Sequence, residues 1–320
     1  RAGRLAECPL ASPRGPAGAA IANSAADTDQ RGHHIGRAVF YMVLAMVLIP
    51  CLNAGAKYLT PRYSTIEIAW ARYAGHFIYM VLFFIPQRGW RLFRTTQLKA
   101  QILRSTLLLA STAIYISALR YTSLPIAASV GFVAPFIVIA LSPMMLGETV
   151  GLRRWMAAAA GFGGALLILR PGSDSVPLAS FLVLGSALCN ALYQLLTRRI
   201  AAHDPPETSI TYIAVMGFLL TSLLVPFAWH TPESIADGAL LFSLGMFGGF
   251  GHYYIVKAFQ WGPASVVAPL NYLQLLGAAL FSLAVFGEFP TMLSWVGAAV
   301  IVGSGLYVLA TERSARPRRR

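Results

Sequence analysis

Two stretches of the chain repeat each other at a constant spacing, and this duplication constrains the fold more than any other feature. Residues 118–148 begin Ala-Leu-Arg-Tyr and end Gly-Glu, and residues 258–288 begin Ala-Phe-Gln-Trp and also end Gly-Glu. The register shift is the same at both ends, since 258 − 118 = 140 and 288 − 148 = 140, and Trp155 maps onto Trp295 at that shift. We therefore interpret the chain as two copies of one structural unit.

The composition identifies the environment of this unit. The chain is 57% hydrophobic and 12% charged, whereas a soluble domain carries about a quarter charged residues. A helix needs about 20 apolar residues to cross the hydrocarbon core, and helices are required because lipid offers no partner for free backbone groups. Ten spans are predicted, at residues 38–58, 66–86, 103–120, 124–146, 152–169, 178–197, 209–229, 239–258, 264–286 and 292–310.

The charge between the spans predicts their orientation. Most Lys and Arg residues fall in alternate loops and in both terminal segments, whereas the intervening loops hold Arg62, Arg120 and Arg170. Positively charged loops stay in the cytoplasm, so both termini are predicted to be cytoplasmic. Since each copy has an odd number of spans, the second copy is predicted to enter the membrane in the opposite sense. The expected fold class is therefore all-α integral membrane, with ten transmembrane helices as two inverted five-helix repeats.

The domain prediction follows from these spans. Residues 1–36 are polar and are predicted to be a disordered tail. Residues 37–170 form the first five-helix repeat, residues 178–311 the second, and residues 312–320 a basic cytoplasmic tail.

Several classes of function are disfavoured by the sequence. The net charge of +13 lies between apolar runs, so nucleic-acid binding is not expected. The three cysteines are far apart and form no CxxC motif, which argues against a disulfide framework or a zinc site. The motifs of ATP-binding loops, dinucleotide sites, zinc proteases and serine hydrolases are missing from the sequence. We therefore expect no enzyme activity, no metal and no cofactor, and any transport would be driven by gradients.

Four charged residues are candidates for gating or coupling. Glu67 and Arg72 lie early in the second span, where a charge costs several kcal/mol unless it is paired or hydrated. The alternative is structural pairing, with partners on other helices because an i, i+5 spacing pairs poorly. Glu148 and Glu288 end their spans, and their alternatives are interface anchoring, capping of a neighbouring helix or proton coupling.

Polar side chains inside the apolar spans are candidates for substrate binding. Asn53 and Asn190 occupy matching places in the two copies, since 190 − 53 = 137. His252 follows a run of glycines, and polar residues follow Pro269 as in the broken helices of transporters. For each of them, helix packing through hydrogen bonds remains the alternative. The predicted substrate-binding residues are Asn53, Tyr115, Asn190, Tyr193, Gln194, His252, Asn271, Tyr272 and Gln274.

Taken together, these features resemble the drug/metabolite transporter superfamily and, within it, the EamA-like ten-helix transporters. The resemblance rests on the two inverted halves, on Glu67 with Arg72, and on the Gly-Glu pairs that close the fourth and ninth spans. It covers residues 37–311. The segments around Asn190, His252 and Asn271 are similar to a bacterial branch that includes riboflavin and S-adenosylmethionine importers.

The resemblance implies a multi-pass protein of the bacterial inner membrane with a substrate cavity between its halves. The expected function is secondary, non-ATP transport of a small metabolite by alternating access, with riboflavin or S-adenosylmethionine uptake as candidates. An amino-acid or metabolite exporter of the same superfamily is the alternative, and a channel or structural membrane protein is the alternative from another class. The expected partners are the substrate, the lipid bilayer and a coupling proton, with the chain as a monomer or homodimer.

Overall fold

The structure is a computed structural model in which every regular element of the described residues is a helix. It describes residues 16–122, 124–131, 133–169, 178–287, 292–293, 295–297, 299–300, 303–304 and 307. The helices are α1 (Pro16–Leu59), α2 (Thr65–Phe83), α3 (Ile85–Arg88), α4 (Leu98–Leu119), α5 (Leu124–Gly131), α6 (Val133–Leu146), α7 (Leu152–Leu169), α8 (Leu178–Ile200), α9 (Pro206–Leu224), α10 (Ile235–Trp261), α11 (Ala264–Val267) and α12 (Gln274–Phe286).

Several of these helices are long and apolar enough to cross a bilayer. In the described ranges five helices meet that condition, or six when Thr65–Phe83 and Ile85–Phe93, which are bent by 41° at their junction, count as one span. The all-helical, multi-span part of the expectation is therefore confirmed. The ten spans, their inversion and the four segment boundaries stay predictions. Residues 1–15 and 312–320 lie outside the described part.

Serine side chains cap the N-termini of two of the helices. The Ser64 hydroxyl accepts a hydrogen bond from the backbone N–H of Glu67 at 3.1 Å, at the start of α2. The Ser234 hydroxyl accepts one from the backbone N–H of Asp237 at 3.0 Å, at the start of α10. In both cases a serine is followed three residues later by an acid, which is a sequence signature of a helix N-terminus.

The duplicated Gly-Glu pairs of the sequence coincide with helix ends. Gly147 follows α6 with φ +67°, and Gly287 follows α12 with φ +65°. Both values lie in the left-handed region, which glycine adopts at little cost and which commonly ends a helix. The amide N–H of Gly287 donates to the Leu283 carbonyl at 3.2 Å, as expected for such an end. Helices α6 and α12 thus end in the same way, at a glycine in the left-handed conformation.

Helices α2 and α10 pack backbone to backbone. A methyl group placed on Gly75 would lie 2.6 Å from the Phe242 carbonyl oxygen, and one on Gly245 would lie 2.4 Å from the Gly75 carbonyl carbon. Neither distance is sterically possible, so only glycine fits at these two positions. Small residues that allow such close approach are typical of helix pairs in membranes. This contact joins the first copy directly to the second.

One end of the bundle is closed by a polar group that we call the Asp237 cluster, made of Arg62, Tyr63, Glu233 and Asp237. The Asp237 carboxylate accepts from Arg62 Nη1 at 2.6 Å and from the Tyr63 hydroxyl at 3.0 Å. The Tyr63 oxygen in turn accepts from the Glu233 backbone N–H at 2.9 Å. Burial raises the pKa of the Tyr63 hydroxyl, so it remains a donor at neutral pH. The cluster ties the α1–α2 loop to the start of α10.

A second polar group, the Asp204 cluster, is made of Gln101, Arg104, Thr197, Asp204 and Ser209. Gln101 Nε2 donates to the Asp204 carboxylate at 2.7 Å. The buried Arg104 guanidinium donates to the Ser209 carbonyl at 2.5 Å and to the Thr197 hydroxyl at 3.2 Å. These bonds tie the start of α4 to the end of α8 and the start of α9.

The contacts between the two halves are reciprocal. Helix α1 packs on α10, and α4 packs on α8. Likewise α2 packs on α10, and α9 packs on α4, while α2 and α9 contact each other. In the first four of these contacts, the first or second long helix of one half packs on the third long helix of the other. The apolar core therefore lies largely at the seam between the halves.

Replacing Gly245 with alanine should destabilise the protein because the added methyl group has no room against α2. Overpacking of this kind costs about 1–3 kcal/mol. We expect a clearly lower melting temperature for Gly245→Ala in detergent. Gly185→Ala is the matched control, since a methyl group there meets nothing within 4 Å and alanine is the better helix former. Equal melting temperatures for the two variants would contradict the close approach of α2 and α10.

Candidate functional site

A cavity lies at the seam between the two halves. The empty space within it, including its open mouth, is about 770 Å³. Every predicted substrate-binding residue whose side chain is described lines it, namely Asn53, Tyr115, Asn190, Tyr193, Gln194, His252, Asn271 and Gln274. The side chain of Tyr272 lies outside the described part.

The polar residues reach the cavity from several helices. Asn53 lies on α1 and Tyr115 on α4, so both belong to the first half. The second half supplies three residues of α8, His252 of α10, and the pair Asn271 and Gln274. That pair straddles the point where a short 3₁₀ segment, Ala268–Leu273, passes into α12. The irregular backbone after Pro269 therefore lies at the cavity, as is typical of transporter sites.

Three carboxamides form a hydrogen-bonded row on one wall. Gln194 Nε2 donates to Asn190 Oδ1 at 2.8 Å, and Asn271 Nδ2 donates to Gln194 Oε1 at 3.0 Å. Asn271 Nδ2 also donates to the Ala268 carbonyl at 2.9 Å, which fixes the amide against the 3₁₀ segment. Each amide has two donors and an acceptor with two lone pairs, so the row keeps hydrogen-bonding capacity for a ligand.

Arg72, predicted for gating or coupling, also lines the cavity. Its Nη1 donates to the Thr112 hydroxyl of α4, and its Nη2 lies 2.9 Å from His252 Nε2 of α10. The guanidinium also stands over the Tyr73 ring, 5.1 Å from its centroid. Its partners thus come from other helices and from its own neighbour, and none of them is a carboxylate.

The contact with Arg72 determines the protonation of His252. Since an arginine N–H can only donate, Nε2 of His252 must be the acceptor, and the ring proton must be on Nδ1. Nδ1 lies 3.2 Å from the Tyr193 hydroxyl, which it can therefore reach as a donor. We infer that His252 is a neutral imidazole held between an arginine and a tyrosine.

One buried polar group of the cavity lining, the Tyr115 hydroxyl, has no hydrogen-bond partner among the described residues. An unpaired polar group away from water costs about 1–3 kcal/mol. Water or a bound ligand in the cavity would relieve this cost, so this hydroxyl favours occupation of the site.

Sequence reasoning missed three small hydroxyl residues of the cavity wall, Ser111, Thr112 and Ser186. Ser111 and Ser186 bond to each other across α4 and α8, with their hydroxyl oxygens 3.0 Å apart. The sequence pattern that could have identified two of them is the spacing of Ser111 and Thr112, which lie four and three residues before Tyr115 and therefore share its helix face.

Two of the other charged candidates, Glu67 and Glu148, lie apart from the cavity wall. Glu67 is fully buried, with its carboxylate 3.8 Å from His230 Nδ1. Glu148 accepts from Arg198 Nε and from the Ala264 backbone N–H, both at 3.2 Å. The Ala264 contact is the geometry that helix capping requires, and the roles of both acids stay predictions. Glu288 lies outside the described residues.

A side chamber of the cavity shows that the two halves line the space differently. It shares the carboxamide wall and is also lined by Gly131 and Ala134. At the repeat shift of 140 residues these two positions correspond to Asn271 and Gln274. The second half therefore presents amides where the first presents a hydrogen atom and a methyl group.

The arrangement is suited to binding rather than to bond-making chemistry. In the part of the chain that the structure describes, no group of three or more His, Cys, Asp or Glu residues stands close enough to hold a metal ion. The cavity offers amides, hydroxyls and one guanidinium within an aliphatic surface. Such a mixture binds small molecules by shape and by a few hydrogen bonds.

Comparison with known proteins places these features in a family. A solved structure titled "Crystal structure of protein" matches with a TM-score of 0.73 at 17% identity, covering 87% of this chain and 98% of its own. A riboflavin transporter of Vibrio cholerae is 29% identical over 293 residues, which are 89% of this chain and 98% of the relative.

Two further relatives agree with this placement. An S-adenosylmethionine uptake transporter of Rickettsia prowazekii is 26% identical and a riboflavin transporter of Rhizobium johnstonii 28% identical. Their alignments cover 87% and 85% of this chain, and 94% and 90% of the relatives. The model of the EamA-like transporter family matches twice, at residues 36–170 and 177–310. The chain therefore belongs to the EamA-like transporter family, within the drug/metabolite transporters.

Proposed function

We propose that this protein is a secondary transporter that moves a small metabolite across the bacterial inner membrane by alternating access. Membership of the family indicates a transporter rather than an enzyme, and the apolar helices indicate a multi-pass membrane protein. The observation that carries the proposal is the cavity at the seam, which is lined by polar side chains of both halves and lies between two polar clusters.

The directions of the helices support an inverted arrangement of the halves. The end of α1 lies at the Asp237 cluster, where α2 begins. The end of α8 lies at the Asp204 cluster, together with the start of α4. Helix α2 leads away from the first cluster and α4 starts at the second, so the two clusters lie at opposite ends of the bundle. Since α1 ends at the first cluster and α8 ends at the second, these two helices run in opposite directions. Inverted repeats around a midplane site are the architecture of many secondary transporters.

The two clusters are suited to act as alternate closures. Each joins one half to the other through side-chain hydrogen bonds, with one ion pair, Arg62–Asp237, in the Asp237 cluster. Such contacts can break without disturbing a helix. Opening of the Asp237 cluster would expose the cavity on one side, and opening of the Asp204 cluster would expose it on the other. By the distribution of loop charge the Asp204 side is the cytoplasmic one.

The substrate proposal follows the relatives and the chemistry of the wall. Riboflavin and S-adenosylmethionine, which the names of the relatives give for those proteins, both carry a planar heterocycle with hydrogen-bonding edges. The row of Asn190, Gln194 and Asn271 is suited to such an edge, and Tyr115 is suited to stack on a ring. Uptake is the proposed direction, with export of a metabolite as the alternative.

His252 offers a physical basis for coupling to protons. A second proton on the imidazole would place an N–H group of the ring against an N–H group of Arg72. The contact between α2 and α10 would weaken, which is the kind of event that links protonation to a conformational change. A coupling proton therefore remains part of the proposal.

A ligand screen by thermal shift tests the substrate. A ligand that binds the folded protein stabilises it by about 2.7 kcal/mol at a hundredfold excess over its Kd. We expect riboflavin or S-adenosylmethionine to raise the melting temperature of the purified protein by several degrees, and amino acids not to do so. Stabilisation by an amino acid alone would favour the exporter alternative.

Loss of the carboxamide row should reduce transport without loss of folding. Asn271→Ala removes an amide that holds Gln194 in place, so we expect at least a tenfold decrease in the rate of substrate uptake by reconstituted vesicles at low substrate concentration. Uptake in both vesicle orientations also establishes the direction of transport. His203→Ala is the control, because His203 is exposed and distant from the cavity wall. Equal uptake by the two variants would contradict the assigned site.

Cross-linking of the Asp237 cluster should arrest the transport cycle. In a background where the native cysteines are replaced by serine, Arg62→Cys with Asp237→Cys should react with a short bifunctional thiol reagent. We expect uptake to stop after cross-linking and to return when a reducible linker is cleaved. The two single-cysteine variants serve as controls. Full uptake by the cross-linked protein would exclude this cluster as a moving closure.

A further inference from the structure

The charges that face the cavity are unbalanced. Arg72 is the single permanently charged side chain among the described lining residues, and that lining includes no Asp or Glu. Its hydrogen-bond partners, Thr112 and His252, are neutral in the observed geometry. An arginine cannot lose its proton in a protein. The cavity therefore has a net positive charge.

The nearby charges outside the cavity do not restore the balance. The Arg104 guanidinium belongs to the Asp204 cluster, where a carboxylate accompanies it. The Glu67 carboxyl group lies 3.8 Å from His230 Nδ1 and outside the cavity lining, and the Asp237 carboxylate is occupied by Arg62 and Tyr63. Among the described residues none of these acids forms an ion pair with Arg72, so none of them acts as its counter-ion.

We propose that Arg72 is a selectivity residue that makes the cavity accept uncharged or anionic planar metabolites and reject those with a net positive charge. This inference rests on the proposed function and narrows its substrate class: of the two candidates, uncharged riboflavin is favoured and cationic S-adenosylmethionine is disfavoured. In a water-poor site a fixed guanidinium repels a cationic ligand strongly, because the charges are poorly screened. The same guanidinium attracts carbonyl, carboxylate or phosphate oxygens.

The geometry of Arg72 leaves donors for such oxygens. A guanidinium has five N–H groups in a planar fork, and the two bonds to Thr112 and His252 use one on each terminal nitrogen. Those bonds also hold the side chain in place, so a ligand need not order it. A neutral heterocycle with ring carbonyls could therefore accept from Arg72 while its other edge contacts the carboxamide row.

A matched pair of ligands separates charge from shape. S-adenosylmethionine carries a sulfonium and a net charge of about +1 at neutral pH, whereas S-adenosylhomocysteine lacks one methyl group and is net neutral. We expect thermal-shift titration of the wild-type protein to show at least about tenfold weaker binding of S-adenosylmethionine than of S-adenosylhomocysteine. Riboflavin, which is uncharged, should bind at least as well as the neutral member of the pair.

Variants of Arg72 test whether this side chain is the cause. Arg72→Gln keeps an amide donor without the charge, and should bring the two affinities to within about threefold. Arg72→Lys keeps the charge and should keep the preference. Arg91→Gln is the control, because it removes a positive charge from an exposed residue and should leave the ratio unchanged. Should Arg72→Gln fail to fold, the wild-type ratio still tests the selectivity, and loss of the preference in Arg72→Lys would contradict charge at this position as its cause.

The outcomes for the inference and for the proposed function differ. Equal or tighter binding of S-adenosylmethionine by a wild-type protein that transports it overturns the selectivity and leaves the transporter proposal standing. A preference for the neutral ligand that persists in Arg72→Gln overturns the assignment to Arg72. Absence of saturable uptake of all three ligands overturns the proposed function, and the selectivity with it.

Discussion

The buried guanidinium of Arg72 is the interaction on which the centre of this protein depends. A charge inside a membrane span costs several kcal/mol unless polar groups surround it. Here the polar groups are Thr112 of α4 and His252 of α10. These two residues occupy equivalent positions in the two copies, since 252 − 112 = 140. The charge thus lies at the seam between the halves, where one residue from each half, at equivalent positions of the repeat, stabilises it.

This arrangement requires that α2 and α10 come very close. Glycines provide the space: Gly75 and Gly245 bring the backbones together, and a methyl group on Gly248 would lie 3.1 Å from Arg72 Nε. The glycine run that precedes His252 in the sequence therefore has a second effect besides tight packing. It lets the arginine side chain pass along α10 and reach the imidazole.

Much of this architecture could be predicted from the sequence. The duplication and the Gly-Glu pairs indicated repeated helix ends, which the structure shows at Gly147 and Gly287. Amides inside apolar spans are rare enough to stand out, so Asn190 and Asn271 were recognised as candidates for a shared site. These signals are local, because each depends on a residue type and its immediate neighbours.

The remaining features depend on three-dimensional arrangement. Thr112 was overlooked because a single hydroxyl is common in membrane helices, where it can bond to its own backbone. Arg72 was predicted to act in gating, and its place in the cavity wall depends on how α2 is rotated against helices that are distant in sequence. His252 lies 180 residues further along the chain, and no local pattern reveals such a pair.

The unequal walls of the side chamber have a consequence for how a ligand can lie. Gly131 and Ala134 form a smooth apolar surface opposite the amides of Asn271 and Gln274. A flat molecule with one polar edge and one hydrocarbon edge can form hydrogen bonds to these amides in only one of its two orientations. In the reverse orientation its polar edge would lose its water and face the apolar surface without new hydrogen bonds. Divergence of the two duplicated segments has thus made the two walls of the chamber unequal, so that the chamber favours one orientation of a bound ligand over the other.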